Sequence, residues 1–155
     1  RRRNRSEDET TQVIIVDVNL LIYAINIDSH HHSQAKKFWQ RAIAGNESVG
    51  MPWSVVLAFL RLTTNPRVME RPLEPESATE FIDEWLARPN VEIVYPAHAH
   101  WEIVRNLVQE AGTAGNLTSD TDIAALAIEH GAAVYSADHD FARFAGVRHV
   151  NPLRT

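Results

Sequence analysis

The segment from Val13 to Val18 constrains the fold of this chain more than any other, because it reads VIIVDV. Such a short and nearly continuous run of β-branched residues is typical of a strand that is buried on both faces of a parallel sheet. Asp17 interrupts the run, and burial of its carboxylate is costly unless a cation, hydrogen bonds or protonation compensates. The segment therefore predicts an α/β fold with a polar feature at the end of its first strand.

The rest of the chain alternates short apolar runs with longer segments of helical character. Further strands are predicted at residues 48–51, 91–95, 132–136 and 148–150. Helices are predicted at residues 19–25, 31–44, 53–63, 74–88, 98–111 and 119–130. Strands that alternate with helices form βαβ units with parallel strands. We therefore predict a three-layer α/β/α domain over residues 13–155, with a central parallel sheet of four to five strands.

Composition narrows the chemistry that this domain can use. A chain of 155 residues is long enough to bury a sizeable core in one domain. The absence of cysteine excludes disulfides, Cys-ligated zinc and cysteine nucleophiles. No apolar run approaches the ~18 residues that span a bilayer, and the N-terminal residues are too polar for a signal peptide. We therefore expect no membrane association.

The charge of the domain raises a question about its substrate. Residues 13–155 carry 11 basic and 17 acidic side chains. An acidic domain lacks the usual electrostatic footprint of a nucleic-acid binder. Either the substrate is not an anion, or a cation lies between the protein and the substrate.

Residues 1–12 differ in composition from everything that follows. They read RRRNRSEDETTQ, with no apolar residue and no periodicity. This pattern predicts a disordered or appended arm, either native or artificial. A second hypothesis is that its four arginines dock on an acidic groove of the same or a neighbouring chain.

Aspartates follow two of the predicted strands and open one of the helices. Asp17 ends the first strand, Asp138 and Asp140 follow the strand at 132–136, and Asp120 lies at the start of the helix at 119–130. Each has a simple structural alternative. Asp17 could be a helix N-cap, and Asp138 and Asp140 could lie in a solvated turn. Asp120 and Asp122 could belong to a helix start, where Ser119 and Asp122 resemble a capping box.

Taken together, the aspartates predict a metal site, which none of them predicts alone. In a parallel α/β sheet, ligands bind beyond the carboxyl ends of the strands, so these side chains are expected to converge. Clustered carboxylates repel one another unless some protonate or a divalent cation binds. Oxygen ligands without cysteine favour Mg²⁺, with Mn²⁺ as a substitute, and a carboxylate-held Mg²⁺ is suited to attack on a phosphate ester.

The chain resembles the PIN-domain ribonucleases in two segments. VIIVDVNLLIYA resembles the start of these proteins, and GNLTSDTDIAALAIEHGAAVYSADHDFARF resembles their C-terminal half. The second segment, with MPWSVVLAFLRLTTNPRV, is similar to the bacterial VapC toxins of toxin–antitoxin pairs. The resemblance implies a Mg²⁺-dependent endoribonuclease that acts on RNA in the bacterial cytoplasm, forms a homodimer and is neutralised by a cognate antitoxin.

The resemblance also implies roles for particular residues. It implies that Asp17, Asp120 and Asp138 are catalytic and hold the metal together with Asp140. Asn19, Asp122 and Ser136 are secondary candidates. The family's helix glutamate would fall near Ala58–Phe59, but the helix at 53–63 contains no acid. Asp122 or Asp140 is a possible substitute.

Two other functions remain open from the residues themselves. Asp17 after the first strand also suits a haloacid-dehalogenase-like phosphatase, although the only lysines, Lys36 and Lys37, lie on an early helix. A non-catalytic module that binds RNA or an antitoxin would explain the missing glutamate.

Several other residues have a simpler explanation than a role in the site. The histidines at 30–32, 98, 100 and 139 are interpreted as surface or structural residues. The apolar helix at 53–63 is interpreted as core or as a dimer interface. The phosphate-contact candidates are Arg61, Arg67, Arg71, Arg143 and Arg148.

Overall fold

The computed structural model describes residues 12–154, and within them a five-stranded parallel sheet is covered by helices on both faces. The strands are β1 (Ile14–Val16), β2 (Val49–Pro52), β3 (Val91–Val94), β4 (Ala133–Tyr135) and β5 (Arg148–Val150). The helices are α1 (Val18–Ile25), α2 (His32–Ala44), α3 (Trp53–Thr63), α4 (Pro75–Leu86), α5 (His100–Ala111) and α6 (Thr118–His130). The predicted three-layer α/β/α architecture is confirmed. The proposed arm lies outside the described residues, apart from Gln12.

The sheet has the strand order β3-β2-β1-β4-β5, and every pair is parallel. The chain therefore builds the sheet outward from β1 in one direction, then returns and adds β4 on the other side. The three residues of β1 are completely buried, as the apolar run predicted. In such sheets the crevice for a ligand opens where the order reverses, here between the ends of β1 and β4.

The predicted first strand is too long, and its last two residues belong to the next element. β1 ends at Val16, because the Asp17 carboxylate accepts a hydrogen bond of 2.8 Å from the Val18 backbone and caps α1. The N-cap alternative for Asp17 is therefore correct. It does not compete with a role in a site, because the cap fixes the carboxylate at the crevice.

Close packing of β2 between its neighbours requires a glycine at position 50. A Cβ at Gly50 would lie 2.7 Å from Val94 Cγ1 on β3 and 3.3 Å from Ile15 Cγ1 on β1. Both contacts are with buried side chains, so a larger residue would push the central strands apart.

Helix α3 is less buried than its composition predicts. Val55, Val56 and Phe59 pack into the core, but Trp53 and Leu57 are 47% and 60% exposed.

Within residues 12–154, none of the helices is both long and apolar enough to cross a membrane.

Candidate active site

The crevice between β1 and β4 brings together polar residues from three parts of the chain. Asp17 follows β1, Ser136 and Asp138 follow β4, and Asp120 lies in the first turn of α6. The Asp17 backbone N–H continues the ladder to the Tyr135 carbonyl at 2.9 Å, which sets Asp17 beside Ser136. The geometry of the sheet thus places these side chains together despite their distance in sequence.

The Ser136 hydroxyl is the centre of a buried hydrogen-bond network. It donates to Asp17 Oδ2 at 2.7 Å and accepts from the Asn19 side-chain amide at 3.2 Å and the Asp138 backbone N–H at 2.9 Å. Ser136 is completely buried, and one donated and two accepted bonds use the full capacity of a hydroxyl. Asn19 adds a bond of 3.3 Å from the Ala137 N–H. Ser136 therefore ties the end of β1 to the loop after β4.

Three carboxylates lie close enough to share one ligand. Asp120, Asp138 and Asp140 each offer an oxygen, and these oxygens all lie within 4.8 Å of one another. Asp138 caps the 3₁₀ helix at residues 139–143 by accepting from the Asp140 N–H at 2.9 Å, which turns both side chains to the same side. Asp17 lies beside this group with both of its oxygens in hydrogen bonds.

The electrostatics show that these acids repel one another. Burial and the charges of Asp17, Asp138 and Asp140 together raise the pKa of Asp120 to about 7. Burial also raises the pKa of Asp17, against the lowering effect of its hydrogen bonds from Ser136 and Val18. A carboxyl group with a pKa near 7 is partly protonated at physiological pH, and a bound cation would favour its ionised form.

The donor set fits a hard divalent cation. It contains carboxylate oxygens without nitrogen or sulfur ligands, which is the chemistry that Mg²⁺ and Mn²⁺ prefer. Burial is the main cause of the raised pKa values of Asp17 and Asp120, neighbouring carboxylates add to it, and a bound cation would favour the ionised forms against both effects. Asp120, Asp138 and Asp140 are therefore the residues that would hold it.

A cavity of about 170 Å³ extends from the acids to α3. One wall contains Asp17, Ser119 and Asp120, and the other contains side chains of α3. Ala58 lines this wall, whereas Phe59 is completely buried in the core. Of the two positions near which the resemblance implies a glutamate, only Ala58 therefore faces the cavity, and neither carries an acid.

Asp122 is held in a different network. Its Oδ1 lies 2.7 Å from His100 Nε2, and His100 Nδ1 lies 2.7 Å from Glu129 Oε1. Ser54 Oγ donates to Asp122 Oδ2 at 3.5 Å. The carboxylate of Asp122 thus joins α6 to α5 and to the start of α3. The alternative capping box is wrong, because Leu117 is the N-cap of α6 and makes no side-chain cap bond.

Sequence reasoning missed two features of this region. It interpreted His100 as structural but did not find its carboxylate partners, although Asp122 and Glu129 are seven residues apart and so share one face of α6. It did not separate Arg61, which lines the cavity, from the other arginines. Among these, Arg71 pairs with Asp28, and Arg143 lies 3.8 Å from Asp140.

Comparison with known proteins identifies the family of this fold. Residues 14–147 match the model of the PIN domain. Ribonuclease VapC33 of Mycobacterium tuberculosis is 38% identical over 142 residues, which cover 92% of this chain and 99% of that protein. Ribonuclease VapC37 of the same organism is 41% identical over 138 residues, which cover 89% and 96%.

Solved structures show the same fold at lower identity. VapBC2 from Rickettsia felis, bound to a DNA fragment from its promoter, matches with a TM-score of 0.68 and 18% identity over 90% of this chain and 98% of that chain. VapC20 of Mycobacterium tuberculosis, a toxin that cleaves the sarcin–ricin loop, matches with a TM-score of 0.60 and 20% identity over 87% and 98%.

Proposed function

The chain belongs to the PIN-domain family, within its VapC branch, and on this premise we propose that it is a divalent-metal-dependent endoribonuclease that acts as a toxin. The observation that carries the proposal is the group formed by Asp120, Asp138 and Asp140 at the crevice of the sheet. The relatives named ribonucleases are similar over nearly their whole length. The substrate is RNA, and the site of action is the cytoplasm.

Each site residue has a role that follows from its contacts. Asp120, Asp138 and Asp140 would hold Mg²⁺, or Mn²⁺ in its place. When bound, such a cation lowers the pKa of water and neutralises charge on a phosphodiester. Asp17 adds negative charge beside the group and, through Ser136, positions the loop that carries Asp138. Asn19 fixes the orientation of Ser136 and of the Ala137 backbone.

The phosphatase alternative is less compatible with the geometry. A nucleophilic Asp17 would need a free oxygen directed at the substrate. Its Oδ1 accepts from the Val18 N–H and its Oδ2 from Ser136, and the residue is 7% exposed. Both lysines lie on α2, away from the cavity at Asp17. These contacts suit a carboxylate that is held in place rather than one that attacks.

The decisive experiment is an RNA cleavage assay with matched variants. Total RNA is incubated with the protein in Mg²⁺, in EDTA, and in EDTA followed by excess Mg²⁺. We expect cleavage in Mg²⁺, none in EDTA, and recovery when Mg²⁺ is restored. Asp138→Asn should abolish cleavage, whereas Glu80→Gln, on the exposed face of α4, should cleave as the wild type does.

The same assay separates the alternatives. Equal cleavage by wild type and Asp138→Asn would indicate a contaminating nuclease and contradict the proposal. Intact RNA in every metal condition, with RNA binding retained, would favour the non-catalytic module. Hydrolysis of small phosphomonoesters without RNA cleavage would favour the phosphatase.

Two partners follow from the proposed function. The first is a cognate antitoxin, because structural neighbours include VapBC complexes. The second is another copy of this chain, because Trp53 and Leu57 form an exposed apolar stripe one helical turn apart on α3.

Expression in a bacterium should arrest growth, and Asp138→Asn should remove the arrest.

A further inference from the structure

Arg61 is the positively charged residue on the wall of the acidic cavity. It lies on α3 with Ala58 and Leu62, facing Asp17 and Asp120 across a space of about 170 Å³. The side chain is exposed, and within residues 12–154 it makes no hydrogen bond or ion pair. Its guanidinium therefore keeps five donors free beside the site.

Three other arginines of the described residues have protein partners. Arg143 lies 3.8 Å from Asp140, and Arg154 lies 2.7 Å from His139 Nδ1. Arg71 forms a two-bond pair with Asp28. Among the described residues, Arg61 thus differs from these three in two respects: it lines the cavity, and no hydrogen bond or ion pair engages its side chain.

Helix α3 presents a cation to the cavity where an acid was expected. Ala58, one turn before Arg61, is one of the two positions near which the resemblance implies a glutamate, and α3 contains no acidic residue. A carboxylate at Ala58 would bring more negative charge and demand a further cation. Arg61 instead supplies a fixed positive charge from the same wall, and a guanidinium matches two phosphate oxygens at once.

We infer that Arg61 binds a backbone phosphate of the RNA in this cavity, next to the phosphate held at the aspartates. In this arrangement the Arg61 guanidinium neutralises substrate charge from the α3 wall, opposite the aspartates. The inference rests on the proposed function, because it assigns a substrate contact within the same site.

The experiment compares three single variants on a short, labelled, mixed-sequence RNA. Arg61→Gln removes the charge, Arg61→Lys keeps it, and Arg105→Gln removes an exposed arginine of α5 that does not line the cavity. Cleavage kinetics are measured in Mg²⁺ over a range of salt concentrations. Binding is measured by fluorescence anisotropy in EDTA, where metal-dependent cleavage is absent, and melting temperatures verify the fold.

Arg61→Gln should raise KM and weaken binding by about tenfold, the size of one charge-assisted contact, with little change in kcat. It should also reduce the salt dependence of binding by about one phosphate contact. Arg61→Lys should retain the salt dependence and most of the affinity. Arg105→Gln should behave as the wild type, and all three should melt at the wild-type temperature.

The results distinguish this inference from the proposed function. If the wild type cleaves RNA and Arg61→Gln matches Arg105→Gln in KM and salt dependence, the role of Arg61 is wrong and the ribonuclease stands. If the wild type binds RNA without cleaving it, the ribonuclease fails and the binding series still decides on Arg61. A wild type with neither cleavage nor RNA affinity overturns both.

Discussion

Asp120 is the residue whose charge depends most on its neighbours. Its pKa of about 7 arises from burial and from the charges of Asp17, Asp138 and Asp140. An unfolded chain loses this proton near pH 4, so between about pH 4 and 7 the folded state binds more protons than the unfolded state. Without metal, stability should therefore fall as pH rises through this window, and the loss should be complete above pH 7.

Replacement of Asp120 by Asn tests this linkage. Asp120→Asn removes the charge and keeps the shape, so without metal the variant should melt a few degrees above the wild type at pH 8. The difference should shrink toward pH 4, where the wild-type carboxyl is protonated. Glu80→Gln, an exposed acid on α4, is the control and should show no such pH-dependent gain. Identical pH profiles for wild type and Asp120→Asn would contradict the assigned pKa.

Removal of the Ser136 hydroxyl tests whether the hydrogen-bond network around it stabilises the fold and positions Asp138. Ser136→Ala removes the hydroxyl partner of Asp17 Oδ2, of the Asn19 side-chain NH₂ and of the Asp138 N–H, so we expect destabilisation by about 1–3 kcal/mol. Because the network orients Asp138, cleavage should also fall by about 10–100-fold. Ser119→Ala, an exposed serine on the same cavity, should change neither. Wild-type stability and activity in Ser136→Ala would show that the network has no positioning role.

The positions of these residues were predictable to different degrees. Asp17 and Asp138 follow apolar runs, so strand ends alone indicate that they meet. The contacts of Ser136 and Asn19 were not predictable from periodicity, because they join residues 117 and 119 positions apart in the chain. The three-carboxylate group depends on the 3₁₀ turn at Asp138, which a run of polar residues does not specify.

At the scale of the elements, His100 joins two helices. Its two ring nitrogens bind Asp122 and Glu129, and the Glu129 side chain is 3% exposed. Burial lowers the pKa of His100, but the hydrogen bonds to the two carboxylates outweigh burial and raise the pKa above 6.5. A neutral imidazole has one donor for these two acceptors, so the bridge is complete only in the protonated form.

The pH dependence of the bridge has a definite sign. The folded-state pKa is raised, so the stabilisation is fully present below pH 6.5 and is lost as pH rises through the folded-state pKa. His100→Gln should therefore cost about 1 kcal/mol near pH 6, measured by urea unfolding, and less at pH 9. His98→Gln, an exposed histidine two residues earlier, should cost nothing. A cost for His100→Gln that does not vary with pH would show that packing, rather than the charged bridge, is responsible.

The elements themselves were largely predictable, and their ends were not. Apolar runs marked β1, β3 and β4, because parallel strands covered on both faces need them, whereas β5 (RHV) at the sheet edge is only partly buried and had a weak signal. The predicted helix at 98–111 begins at His100 instead, after the Ala97 N–H donates to Glu129. Helix α3 was predicted from its composition to be buried on most sides, but composition does not reveal which apolar face lacks a neighbour.

For the whole molecule, metal binding should be linked to folding. A cation at Asp120, Asp138 and Asp140 binds only when the loop after β4 and the start of α6 are together. A ligand at 100 times its Kd stabilises by about 2.7 kcal/mol, so Mg²⁺ should raise the melting temperature by several degrees. Asp17→Asn should abolish this rise, because Asp17 adds negative charge beside the group and positions it. An unchanged melting temperature of the wild type across millimolar Mg²⁺ and Mn²⁺ would contradict the site.

The apolar stripe on α3 tests the assembly of the molecule. Trp53 and Leu57 lie one turn apart, and large exposed apolar side chains of this kind are typical of an interface. An aspartate at the centre of a dimer interface would be buried without a partner, so Leu57→Asp should convert a dimer to a monomer in light-scattering measurements. Val68→Asp, at a 48% exposed position in the loop after α3, should leave the dimer intact. A wild type that is monomeric at micromolar concentration, or a Leu57→Asp variant that remains dimeric, would exclude this face as the contact between copies.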